Sequence, residues 1–87
     1  MNKEELASEI IKICNCLGLI ENKVTTTIIE RNIIKSLEDI VFVENLLNIL
    51  YKNIKSKKYS NILNFKKVEN TLIELEKIRL KLDLEGL

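Results

Sequence analysis

Apolar residues in the first part of the chain fall at Leu6, Ile10, Ile13, Cys14 and Leu17, at intervals of three and four. That spacing places them on one face of a helix, while Glu4, Glu5, Glu9 and Lys12 fall off it. Asn2 stands where a cap is needed, and Glu5 three residues later completes a capping-box pattern. Gly18 follows the last apolar position, where a left-handed residue closes a helix. The pattern predicts a helix over residues 3–17.

After a connection from Leu19 to Thr27, apolar positions recur at Ile28, Ile29, Ile33, Leu37, Ile40, Val41, Leu47, Leu50 and Ile54. The Thr25-Thr26-Thr27 run suits a helix start better than a helix interior. Uninterrupted, the pattern describes one helix of about 30 residues, longer than most in globular proteins. Ser36 and Asp39 form a second capping-box pattern, so we read two helices here, or one kinked helix. Ile40-Val41-Phe42-Val43 has strand-like composition but is short and sits within the helical period. Lys55 to Ser60 is polar and basic and carries no period, which predicts a loop. Ser60, Asn61 or Asn64 is placed to cap a final helix, whose stripe Phe65, Val68, Leu72, Leu75, Ile78 and Leu82 runs near heptad spacing. A second line on that helix, Ile73, Leu80 and Leu84, occupies a different face. A helix that is apolar on two sides needs cover on two sides.

Composition supports the helical reading. The 87 residues include no proline and only Gly18 and Gly86 as glycines. All-β folds need many such turn residues, so this chain is built from a few long elements. The expected architecture is all-α, an antiparallel bundle of three or four helices forming a single domain over residues 1–87. Hydrophobic residues make up 46% of the chain. A chain this short hides only roughly 60–65% of its unfolded surface. Part of that apolar surface is therefore expected to meet a partner, and self-association through the last helix is the expected form.

Charge narrows the partners. The net charge of +1 creates no global field toward nucleic acid or membrane. The distribution is uneven, with five bases against eight acids in residues 1–50 (−3) and nine against five in residues 51–87 (+4). No stretch approaches the roughly 20 apolar residues that span a bilayer. The start, Met1-Asn2-Lys3-Glu4-Glu5, lacks the basic opening of a secretory signal, so a cytoplasmic location is expected. The heavy use of Ile, Asn and Lys fits an AT-rich genome, such as that of a low-GC bacterium or its phages and plasmids.

The chemistry of catalysis is thin. Histidine is absent, which removes the commonest general base and zinc ligand. No Gly-rich phosphate loop or nucleophile elbow is present. The acids interleave with lysines as solvent-facing pairs do. Cys14 and Cys16 lack the further ligands and spacing of a metal site. At about 100° per residue their side chains diverge by about 200° on a helix, which disfavours a mutual disulfide. Cys14 reads as a small core residue. The sequence predicts no catalytic residues, no cofactor, no metal and no small-molecule substrate.

Three constellations bear on binding. From Ile11 to Ile29, the small Cys14, the turn residue Gly18 and the apolar Val24 fall so that the segment resembles a helix-turn-helix in outline. Against this, Thr27 stands where an aliphatic is usually buried, and Lys23 and Arg31 are the only cations on offer. The plainer reading is that Gly18 ends an ordinary helix. The second constellation, Tyr51 to Lys67, interleaves Tyr51, Tyr59 and Phe65 with Lys52, Lys55, Lys57, Lys58, Lys66 and Lys67, a pattern suited to single-stranded nucleic acid or simply to a solvated loop. The third is the second apolar face of the last helix, Ile73, Leu80 and Leu84, joined by Phe42, Val43 and Leu46. The expectation is a small interaction protein, a regulator, inhibitor or adaptor that binds a protein partner through apolar helix faces. A dimeric nucleic-acid-binding regulator using the cations named above is the alternative.

Overall fold

The computed structural model describes residues 2–19, 26–54 and 64–85. Four helices account for most of these: α1 (Lys3–Cys16), α2 (Thr26–Ser36), α3 (Ile40–Ile54) and α4 (Phe65–Glu85). No strand occurs among the described residues. The loop expected over residues 55–60, together with Val24 and Lys23 of the helix-turn-helix outline, lies outside them.

Several boundaries have a local cause. Asn2 caps α1, its Oδ1 accepting from the Glu5 backbone N–H at 2.7 Å. The Glu5 carboxylate in turn accepts from the Asn2 side-chain amide at 3.0 Å. At the other end Gly18 takes φ +70°. The Leu19 N–H donates to the Cys14 carbonyl at 2.9 Å and the Gly18 N–H to that of Asn15 at 3.1 Å. This is the paired Schellman closure, which satisfies two carbonyls that the helix end would otherwise orphan.

The middle segment is two helices. Asp39 caps α3 itself, its Oδ1 accepting from the Val41 N–H at 2.9 Å. Ser36, expected as the cap, is instead the last residue of α2 and accepts from the Asp39 N–H at 3.0 Å through its carbonyl. Between them Leu37 is buried in the core, so the bend is pinned by packing as well as by the cap. Asn64 caps α4, with its carbonyl accepting from the Val68 N–H at 3.0 Å and its Oδ1 lying 3.4 Å from the Lys67 nitrogen.

Packing follows a spatial order that differs from the chain order. α1 packs on α2 and on α4, and α3 packs on α4. The core is aliphatic: Leu6, Ala7, Ile10, Ile11, Ile13, Cys14 and Leu17 of α1 and its cap meet Ile33, Leu37, Val43, Leu46, Leu47, Leu50, Val68 and Leu75. The radius of gyration is 12.8 Å, near the roughly 12 Å expected of a compact chain of this length.

Two expectations for α3 are corrected here. Val43 and Leu46, assigned to a partner-binding surface, are core residues, Val43 with 0% exposure. With Leu47 and Leu50 they form a continuous i, i+3, i+4, i+7 stripe, and that stripe is what α3 turns inward. Phe42 is half-buried against the same core rather than presented outward.

Candidate protein-binding face

The long helix α4 decides which side of the protein is available. Val68, Thr71, Leu75, Ile78 and Leu82 repeat at alternating steps of three and four. The first three are buried and the other two packed against the core. Thr71 is fully buried, and its hydroxyl donates to the Lys67 carbonyl at 2.8 Å. Its place in the heptad pattern was readable, but its polarity hid it from a count of apolar residues. The hydroxyl is satisfied within its own helix, so the core accepts it without another polar partner.

Ile73, Leu80 and Leu84 lie on the far side. At about 100° per residue, all three fall within roughly 20° of the line diametrically opposite the buried stripe. They are 47%, 55% and 71% exposed respectively. Nothing in the described chain covers this line. Other large apolar residues are exposed, Ile28 on α2, Val41 and Ile49 on α3 and Phe65 at the start of α4 among them. Among the described residues, only α4 carries three in one line on its outward face.

Two of the grooves beside α4 are lined largely by charged and polar side chains. Between α1 and α4, a depression of about 400 Å³ is lined by Glu5, Ser8, Glu9, Lys12, Lys67 and Asn70. Its charges neutralise one another, with Glu9 3.3 Å from Lys12 and 3.7 Å from Lys67. Between α3 and α4, a second depression holds Glu44, Tyr51, Glu76 and Arg79. There the Glu76 carboxylate accepts from Arg79 at 2.9 Å and from the Tyr51 hydroxyl at 3.2 Å. Burial, then donation to the Glu76 carboxylate and its charge, pushes the Tyr51 hydroxyl above its ordinary value; Arg79 opposes this. The first groove ties α1 to α4 through the Glu9–Lys67 ion pair, and the second ties α3 to α4 through the Tyr51–Glu76 hydrogen bond.

The cysteines behave as packing residues. Cys14 is buried and Cys16 half-buried, and both thiols are free. Burial raises the Cys14 thiol above its ordinary value, away from the thiolate needed for attack. Among the described residues, no group of three or more Cys, Asp or Glu side chains is placed to hold a metal ion. No helix among them is long and apolar enough to cross a membrane.

The cations assigned to nucleic acid are scattered. Arg31 lies exposed on α2, Lys52 in the last turn of α3, and Lys66 and Lys67 in the first turn of α4. Of these, Lys67 is paired with Glu9. Lys23, Lys55, Lys57 and Lys58 lie outside the described residues. No family model, curated protein or solved structure matches this chain.

Proposed function

We propose that this chain is a small, non-catalytic interaction protein, a regulator, inhibitor or adaptor, that binds a protein partner through the outward face of α4. The surrounding helices form an antiparallel four-helix bundle whose task is to hold that face rigid. A phage or plasmid origin agrees with the Ile-, Asn- and Lys-rich composition.

One observation carries the reading: Ile73, Leu80 and Leu84 stand in line on the side of α4 opposite its core stripe. Single exposed aliphatics are ordinary on any protein surface. An aligned set on a helix face, rimmed by charged residues, is the form taken by helix-to-helix recognition. The nucleic-acid alternative draws less support, because Arg31, Lys52 and Lys66 sit on three different helices and Lys67 is engaged with Glu9.

The test is site-specific photocrosslinking in the source cells, with the crosslinker in place of Leu80 and, as control, in place of the exposed Asn45 of α3. Discrete protein adducts at position 80 and none at 45 are expected. Equal labelling at both positions refutes the assignment of the face. Nucleic-acid adducts at position 80, together with nucleic-acid binding by the purified chain that weakens steeply as salt rises, would transfer the assignment to phosphate contacts.

A further inference from the structure

The charges that rim the apolar line of α4 are sorted by sign. Measured round the helix at about 100° per residue, Lys66, Asn70, Lys77 and Lys81 fall within roughly 80° to one side of the line. Glu69, Glu76 and Asp83 fall within roughly 80° to the other. No acid lies in the first sector and no base in the second. All seven are exposed except Glu76, which is half-buried beside Arg79. We propose that the occupant of this face is a second copy of the same chain, with the two α4 helices running parallel about a two-fold axis. The proposal rests on the interaction-face reading above and names its partner.

Symmetry turns the sorted charges into a choice of direction. A two-fold axis along the helices sets the basic flank of one copy beside the acidic flank of the other, on both sides of the contact. Lys77 and Lys81 then face Glu76 and Asp83 of the second copy, and Lys66 faces Glu69. Like residues meet in the seam: Ile73 against Ile73, Leu80 against Leu80 and Leu84 against Leu84. An antiparallel pair instead sets the acidic row against the acidic row and the basic row against the basic row. Like charges juxtaposed across a contact select against that arrangement. The present ion pairs of these lysines, Lys77 with Glu74 at 3.5 Å and Lys81 with Glu85 at 4.0 Å, lie on the surface. Pairs of this kind hold little energy, so they do not compete strongly with contacts to a second copy.

The apolar seam is short, so the dimer is concentration-dependent rather than permanent. Its test uses the full chain with Cys14→Ala and Cys16→Ser, so that an introduced cysteine is the only thiol. Leu84→Cys on this background is expected to form a self-disulfide under mild oxidation, and Leu80→Glu is expected to abolish it. Light scattering should show a mass rising with concentration from 10.1 kDa toward double that value. Two charge variants complete the test, Glu69→Lys with Asp83→Lys, and Lys77→Glu with Lys81→Glu; both leave Glu76 and its partners intact. Each alone should remain monomeric with an unchanged helical spectrum, and an equal mixture should form a heterodimer.

Crosslinking between Ile73→Cys and Leu84→Cys chains, without Leu84→Cys self-crosslinking, overturns the parallel arrangement. A monomer at every concentration overturns the second copy as occupant. In that event, adducts to other proteins at position 80 would leave the interaction-face reading standing. A dimer indifferent to Leu80→Glu overturns the use of this face altogether.

Discussion

Replacing Gly18 by alanine isolates the cost of one backbone conformation. Gly18 sits at φ +70°, and a Cβ built there meets nothing within 4 Å. No clash contributes, so the penalty is that of holding an L-residue in the left-handed region, about 1–2 kcal/mol. Alanine also restricts the unfolded chain, which returns about 0.4–1 kcal/mol. The difference leaves Gly18→Ala less stable by about 1 kcal/mol. For a domain of this size that lowers the melting midpoint by about 4–8 °C. Asparagine tolerates the left-handed region better, so Gly18→Asn should lose less than alanine. Urea unfolding followed by far-UV circular dichroism measures both variants against the wild type, with an unchanged m-value expected. Wild-type stability in Gly18→Ala refutes the left-handed closure of α1. A loss beyond about 3 kcal/mol refutes the open space around the Cβ, since backbone strain alone does not reach it.

Removing the cap of α3 with Asp39→Ala should cost about 1 kcal/mol, while Asp39→Asn keeps an acceptor and costs a few tenths; equal losses in the two would assign the effect to charge rather than capping. In native protein a thiol reagent should label Cys16 readily and Cys14 only slowly, with both reacting at once in denaturant; rapid native labelling of Cys14 would contradict its burial. The raised Tyr51 value means that the folded state favours the neutral phenol. Its contribution is complete below the ordinary tyrosine value and is lost as pH rises through the folded one. Phenolate absorbance should therefore show one late-titrating tyrosine, absent in Tyr51→Phe, and an unshifted titration would refute the Tyr51–Glu76 bond.

Helix starts were the most legible part of this fold, because side chains such as Asn2 and Asn64 cap through local bonds that short sequence patterns encode. The bend at Leu37 was legible only in part. The pattern flagged Ser36 and Asp39, yet which of them caps depends on Leu37 being drawn into the core, a tertiary event. On α3 the period held enough to place Val43 and Leu46 inside, since they share the stripe of Leu47 and Leu50. An apolar surplus does not by itself mark surface, because the core absorbs both residues. For α4 the two apolar lines were visible, but only packing against α1 and α3 decides which faces water. Thr71 shows the converse: position in the heptad outweighs polarity when a hydroxyl can bond within its own helix.

The main helix contacts are not made across the bend at Leu37. α1 pairs with α2, α3 pairs with α4, and the halves are joined along α1 and α4. Each half is local in sequence and so is quick to assemble, whereas the α1–α4 seam closes a loop of most of the chain. The topology is thus two local helix pairs and one long-range seam that joins them. Across that seam the Glu9 carboxylate pairs with Lys67, so the join between the halves carries charge at its surface.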